Sequence, residues 1–547
     1  MRRKIVWLLL SCLVVLSMVL AACAPAPTPT TPTTPTTPTA PTTPTAPKTP
    51  TAPTPQVTKV IEPPIAYKPG LLEPKTEKPK YGGIVTVATS ASAVLDTAPV
   101  LASSSSRVTL HLVNRALWSG DWAKGPAGTN QADFLDFTWG VETATGYLAE
   151  SWELPDATTI IFHLRKGIRY GLNPDSEASR MVGGREVTAQ DVARAQTIWH
   201  LDPEGQFMKG RVTPEERQGL EITALDKYTV KYKFAPGNAS AIMYYASTFA
   251  PNFPPDVYEK YNKMRDWKAS VGSGPFILKD VVPGSVLTFV RNPNAYWTDP
   301  VGPGKGNQLP YVDGAKFLLI PDRSTFQAAL RTGKVDMLVD RTERLKAEEA
   351  RTLLQSRPDL MWVKVPGGFG QITLRLDKPE LPWAQNEKGL KVRQALHMAI
   401  NYEGIIKDFF KGEAIMPTPI APFRQFWEMY TPFEELPAEI RDLYTYQPDK
   451  AKKMLAEAGY PNGFNIEVVA QNIHVDALSL IADYWKKIGV TMKIDVKERG
   501  VYDSIIAGKQ QKEAVAGEGR GSTTPYAYHP YHPTEDDNIA RLKDDYI

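Results

Sequence analysis

Beyond residue 23 this chain has no cysteine at all. Its 2 cysteines are Cys12 and Cys23. Everything downstream therefore has no internal disulfide and no thiolate metal site. Histidine is also scarce, with 7 in 547 residues, which argues against a dedicated metalloenzyme. Formal net charge is only +3 and no long basic block occurs, so no nucleic-acid partner is expected. Past residue 23 no uninterrupted apolar run is long enough to span a bilayer. Two glycine-rich stretches, GPGKGN (302–307) and GEGRGS (517–522), lack the spacing and the following Lys-Ser/Thr pair of a phosphate-binding loop, and read as turns. VGSGPF is not a nucleophile elbow, because Gly-x-Ser-x-Gly is absent there. His529 and His532 are separated by Pro530, which prevents helical presentation of a ligand pair. No metal and no cofactor are expected.

What is present begins with MRRK, a short cationic start, followed by the apolar run of residues 5–20. A basic start, an apolar run and small residues before a cut describe a secretory signal peptide. The tetrapeptide Leu20-Ala21-Ala22-Cys23 resembles a bacterial lipobox, in which the cysteine is acylated and becomes the new N-terminus. Cys23 is thus the expected lipidation site and membrane anchor, since more than one acyl chain holds firmly. A tract of Thr, Pro and Ala follows. It has no large apolar residue with which to build a core, and proline removes backbone donors. In polyproline II form residues 24–55 would reach roughly 100 Å, so the tract reads as a semi-rigid tether.

The body alternates strand and helix signals. YGGIVTVATS and TTIIFHLRKGIRY read as strands, as do the β-branched and aromatic runs in LDKYTVKYKFAP and SVLTFVRNPNAYW. Thr188 with Asp191 three residues on marks a capping box, which gives Asp191 a structural role rather than a catalytic one. LKVRQALHMAINYEGIIKDFFKG has helical spacing up to Gly412, and QPDKAKKMLAEAG is a short helix with Pro448 near its start and Gly459 at its end. IADYWKKIGVTMKIDV runs helix, glycine, strand.

These pieces, in order with GYLAESWELPDA, VGSGPFIL, LPYVDGAKFLLIPD, LRTGKVDMLV and AKKMLAEAGYPNGF, resemble the family 5 solute-binding proteins of ABC importers across roughly residues 78–510. The resemblance implies a mixed α/β, two-lobed clamp of the type II periplasmic-binding kind, with an extra subdomain on the first lobe. It implies a signal peptide over 1–23, a disordered tether over 24–77, a first lobe over 78–315 and a second over 316–547, with GAKFLLIPD as the crossing. Relatives then return to the first lobe, so a chain ending in NIARLKDDYI is expected to be truncated. The implied protein is no enzyme. It is an extracytoplasmic, lipid-anchored, monomeric receptor that encloses a peptide or oligosaccharide and hands it to an ABC permease. A surface hydrolase using an acid pair stays open as a second class.

The resemblance also implies where ligand is held. Peptide-binding relatives pair an aspartate of the second lobe with the peptide's α-amino group. The matching stretch here is EAVAGEGRGSTTPYAYHP, which lacks that aspartate. Glu518 is the candidate replacement, and Arg520 the candidate for a carboxylate or sugar hydroxyls. The loop MPTPIAPFRQFWEMY occupies the place of the family's cleft-lining segment and adds Phe423, Arg424, Trp427 and Tyr430.

Overall fold

The computed structural model describes residues 66–67, 76–89, 99, 107–132, 141–202, 219–234, 250–338, 345, 347–364, 370–416, 430–507 and 509–518. All belong to one compact unit, Glu62–Ile547. The expected signal peptide, Cys23 and most of the expected tether lie outside the described residues.

The first strand, β1 (Ala66–Tyr67), is a correction to the tether expected over 24–77. It pairs antiparallel with residues 363–364. Here the sequence has left the Thr-Pro tract, and Ile65, Ala66 and Tyr67 supply the apolar and aromatic character a strand prefers. Next, β2 (Ile84–Thr89) becomes progressively buried towards its end, as an inner strand should. Helix α1 (Arg107–Val113) follows.

An inserted subdomain comes next. It contains β3 (Trp118–Gly120), β4 (Ala144–Gly146), β5 (Ala149–Asp156), β6 (Thr159–Leu164), α2 (Glu177–Val182), α3 (Ala189–Leu201), β7 (Glu221–Ala224), β8 (Thr229–Lys233) and α4 (Pro255–Lys260). Its sheet runs β5-β6-β8-β7, antiparallel throughout. Phe162, Tyr232, Trp118 and Trp199 fill its core, and each large side chain so buried contributes about 1.5–3 kcal/mol. At the start of α3 the capping box is formed: Thr188 N–H donates to Asp191 Oδ2 at 3.0 Å, and Asp191 N–H donates back to Thr188 Oγ1 at 3.4 Å. Arg185 also reaches Asp191, at 2.6 Å, so this carboxylate is occupied structurally.

The chain then re-enters the first lobe as the hairpin β9 (Phe276–Val282) and β10 (Val286–Arg291), followed by β11 (Gly314–Leu319), α5 (Arg323–Arg331) and β12 (Met337–Leu338). The five-stranded sheet is ordered β12-β2-β11-β10-β9. Strands β11 and β12 lie parallel to β2, while β10 is antiparallel to both of its neighbours, β11 and β9. This corrects the boundary expected at 315/316. Gly314–Leu319 does not cross to the second lobe but is the middle strand of the first sheet, and Met337–Leu338 returns to the same sheet. Helix α6 (Ala347–Ser356) also belongs here, with Leu353 packed in one cluster with Ala88, Phe326 and Leu330. Two observations seal the subdomain to this sheet. Arg115 lies 4.6 Å over the Tyr147 ring, Arg165 5.6 Å over Trp297, and those two rings meet edge-on at 4.8 Å. Asn292, which is buried, donates to the Gly274 carbonyl at 2.8 Å and so ties the NPNAYW turn to VGSGPF.

After β13 (Val363–Lys364), the partner of β1, the second sheet begins with β14 (Gly370–Leu374). Helices α7 (Glu387–Met398) and α8 (Tyr402–Gly404) follow, the latter running into a π-helical turn, Ile405–Phe409. The sequence read these as one helix. They are broken at Asn401, whose side chain caps α8 by accepting from Gly404 N–H at 2.9 Å, as Asn does better than it propagates helix. The lobe is completed by α9 (Ala438–Tyr444), α10 (Pro448–Glu457), β15 (Phe464–Ala470), α11 (Val475–Lys487), β16 (Val490–Val496), α12 (Arg499–Ala507) and β17 (Ala514–Glu518). Pro448 opens α10, and Gly459 takes φ +98° just past its end, as read. The sheet order is β14-β17-β15-β16, with β15, β16 and β17 parallel and β14 antiparallel. Trp383, Trp485, Val392 and Ile466 lie at its core.

Candidate functional site

Each lobe presents three parallel strands ending in the same direction: β2, β11 and β12 in the first, β15, β16 and β17 in the second. In open α/β sheets the crevice outside the carboxyl ends of such strands is where ligands bind. Connecting loops there carry the variable chemistry.

In the second lobe this rim is well formed. Strand β15 ends at Ala470, and the carboxyl end of β16 is tied to it by Lys497 N–H donating to the Ala470 carbonyl at 2.8 Å. The chain after β15 turns through Gln471 to His474, with Gln471 N–H donating to His474 Nδ1 at 3.4 Å. The His474 ring lies 6.3 Å from that of Tyr502 on α12. Tyr502 is buried, packs with Val469 and Val515, and donates from its hydroxyl to the Ala516 carbonyl at 2.6 Å. That bond ties α12 to the end of β17. A Cβ on Gly517 would stand 3.1 Å from the Tyr502 hydroxyl. Glu518 is the next residue, the last of β17, in register with Gly370 at the start of β14. Its backbone thus stands at the carboxyl rim of the second sheet.

Of the other candidates, Arg520, Phe423, Arg424 and Trp427 lie outside the described residues. Tyr430 is half-buried just before the turn at Phe433–Glu435. Burial pushes its phenol up, and the charges of Glu434 and Glu435 add to this, so it stays a neutral hydrogen-bonding group. The sequence reading passed over His474, Tyr502 and Gln471. Helix–glycine–strand periodicity located α11 and β16, but only strand order shows that the turn after β15 and the helix after β16 meet beside β17.

A second polar cluster, His397 with Tyr402 and Tyr444, lies away from the rim. Tyr402 Oη is 3.0 Å from His397 Nδ1, and the Leu443 carbonyl is 3.3 Å from the same atom. Burial lowers the imidazole pKa, with the Leu443 carbonyl opposing it. The group joins α7 to α8 and α9. A shallow depression of about 520 Å3 lies on α11, lined by Leu480, Asp483, Tyr484, Lys486 and Lys487. It is at the end of α11 that feeds the amino end of β16, so it is not the crevice. Among the described residues no three His, Cys, Asp or Glu side chains stand close enough to hold a metal ion.

Comparison with known proteins agrees with this architecture. Residues 143–537 match the sequence profile of the bacterial extracellular solute-binding proteins, family 5 (middle). The dipeptide-binding protein of Escherichia coli K12 is 27% identical over 391 residues, which is 67% of this chain and 66% of that protein. The chain thus spans just under two thirds of that relative's length. The periplasmic binding protein DppA of Helicobacter pylori, solved with the peptide STSA, has a similar fold, with TM-score 0.61, 22% identity and 85% of each chain covered. MoaA of A. tumefaciens R10, solved with mannopinic acid, is similar with TM-score 0.59 and 19% identity, covering 85% of this chain and 84% of that one. With two parallel-stranded sheets, an inserted antiparallel subdomain and a profile match over most of its folded length, the chain belongs to the bacterial extracellular solute-binding proteins of family 5.

Proposed function

We propose that this chain is the extracytoplasmic receptor of an ABC importer, capturing a peptide between its lobes and delivering it to the permease. The observation that carries the reading is the family 5 match over residues 143–537, laid on a second sheet whose β17 brings Glu518 to the carboxyl rim. A carboxylate there is the chemistry that receives a peptide's α-ammonium through a charge-assisted hydrogen bond. Arg520, Phe423, Arg424, Trp427 and Tyr430 complete the proposed ligand set. Capture needs a hinge motion biased by contacts in both lobes and no covalent step, so the protein is read as a binder and not an enzyme. Cys23 is the proposed acylation site, which holds a monomeric receptor at the outer face of the cell membrane. Substitution of Cys23 by Ser is expected to abolish labelling by a clickable fatty acid and to release the protein or leave it unprocessed.

The deciding experiment is native mass spectrometry of the solute that co-purifies with the full chain, followed by thermal melting with that solute added back. A peptide that raises the melting temperature, with stabilisation growing as the logarithm of its concentration over Kd, supports the reading. A co-purified oligosaccharide or sugar acid supports the second reading, a receptor of the same family for a sugar-like solute. The likeness to MoaA, solved with mannopinic acid, favours that alternative. Turnover of either solute by the purified protein would point instead to a surface hydrolase.

A further inference from the structure

The lobes are joined by more than the chain that crosses between them. Glu413 follows the π-helical turn of the second lobe, whose Ile405 packs with that lobe's core. A tight turn presents it: Lys411 and Gly412 take φ +54° and +78°, Gly412 N–H donates to the Ile406 carbonyl at 2.8 Å, and Glu413 N–H donates to Phe410 at 2.9 Å. The carboxylate reaches two cations that are not on its own lobe. Arg351 Nη1, on α6, is 3.4 Å from Glu413 Oε1. Lys364 Nζ, on β13, binds the other oxygen, Oε2.

Both cations are themselves held. Helix α6 is fixed to the first lobe by Leu353 in its core and by Glu349, which accepts from Arg323 at 2.6 and 2.7 Å and from Gln327 at 2.8 Å. Arg351 is steadied from the other side by Glu348 at 3.1 Å. Lys364 stands opposite Ala66 in the β1–β13 pair, so the chain arriving from the N-terminal side is stitched in at the crossover. The Lys364 hydrogen bond and charge, with Arg351 adding, hold the Glu413 carboxyl below the usual carboxylate range, so it is ionised at neutral pH.

We propose that Glu413 is an inter-lobe latch, its carboxylate shared between Arg351 of the first lobe and Lys364 of the crossover so that the ion triad sets the resting angle of the second lobe. A single surface ion pair is weak, but one carboxylate that joins two separately anchored cations opposes any rotation separating them. Its strength is that of exposed pairs, enough to bias a hinge without locking it.

Spin labels placed at the exposed Val282 and Lys452, by a non-cysteine chemistry that spares Cys23, report the lobe separation by double electron–electron resonance in the full chain. Glu413→Gln is expected to change the ratio of lobe arrangements roughly two- to fivefold without solute. Arg351→Gln with Lys364→Gln should give the same distribution, and adding Glu413→Gln to that pair should change nothing further. Raising the salt to about 0.5 M should move the unsubstituted protein towards the Glu413→Gln distribution and leave that variant where it is. If Glu413→Gln folds poorly, the cation pair carries the test: salt should move the unsubstituted protein towards the distribution of the Arg351→Gln, Lys364→Gln variant and leave that variant where it is. Identical distances in every arm overturn the latch, as does a Glu413→Gln effect that the cation substitutions fail to reproduce or that adds to theirs. The proposal rests on the two-lobed receptor reading only for the motion itself. Distances are measured without solute, so failure of the latch leaves the identity of the solute untouched.

Discussion

Two glycines show how differently a packed seam of the first lobe and the rim of the second are built. Gly272, in the first lobe, lies against the end of α1, where a Cβ would stand 2.2 Å from the Val113 carbonyl oxygen and 2.4 Å from Asn114 Oδ1. Gly517, at the rim of the second lobe, would place a Cβ 3.1 Å from the Tyr502 hydroxyl and nothing closer. In the first case backbone meets backbone. The seam is closed further by Gly171 N–H donating to the Gly272 carbonyl at 2.8 Å and Gly274 N–H donating to the Val113 carbonyl at 2.6 Å. In the second case backbone meets the far end of one side chain. The seam between α1 and VGSGPF therefore has no slack, while the rim at Gly517 can give by a few tenths of an ångström.

The largest effect expected follows from the seam. Gly272→Ala should destabilise the protein by about 3 kcal/mol or more, since α1 and VGSGPF cannot separate without losing their mutual hydrogen bonds. Gly517→Ala should cost about 1 kcal/mol or less, because a small shift of the Tyr502 ring relieves it. Urea unfolding of the two variants side by side measures the contrast. Equal losses would mean that the seam and the rim are equally rigid and that the comparison fails.

A smaller effect, on affinity rather than folding, is expected at the rim itself. If the solute is a peptide, Glu518→Gln should weaken it about a hundredfold or more, because a buried ammonium loses its counter-charge. If it is sugar-like, a neutral amide still bonds hydroxyls, and Trp427→Ala should be the more damaging change. Calorimetry with the co-purified solute separates the two. A change below about threefold in both variants would remove these residues from the ligand set.

Legibility in the sequence followed the same division. Strands with several β-branched residues, such as Ile84–Thr89, Thr159–Leu164 and Val286–Arg291, were readable because burial imposes a local pattern. So was the capping box of Thr188 and Asp191. The boundary between lobes was not. Gly314–Leu319, GAKFLL, reads as the same mostly apolar strand whether it crosses to a new sheet or forms the middle of the old one. Met337–Leu338 and Ala66–Tyr67 each pair over two residues, too few to carry any period. At the proposed site, Glu518 was chosen from the family pattern alone, and the structure adds only that its backbone ends β17. The neighbours His474 and Tyr502 were not reachable, since their meeting depends on strand order rather than on anything local.

The smallest effect expected tests whether the second lobe is as tolerant in its core as at its rim. His397 is packed between Tyr402 and Tyr444, with ring centroids 5.2 and 4.6 Å away. Its pKa is lowered, first by burial, with the Leu443 carbonyl acting the other way. The folded protein thus favours the neutral ring more than the unfolded chain does. The unfolded imidazole titrates near 6.5, so the contribution to stability is complete above about that pH. It is lost as pH falls through that value towards the lower folded pKa, where the unfolded chain binds the extra proton. The carboxylates change stability over part of the same range, so the unsubstituted protein alone cannot report on His397. The difference between it and His397→Gln can. Urea midpoints between pH 7.5 and 5 should fall more steeply with His397 present than with Gln in its place. Parallel curves would show that the ring tolerates its charge, and hence that water or a shift of the Tyr402 hydroxyl relaxes this part of the second lobe as readily as the rim.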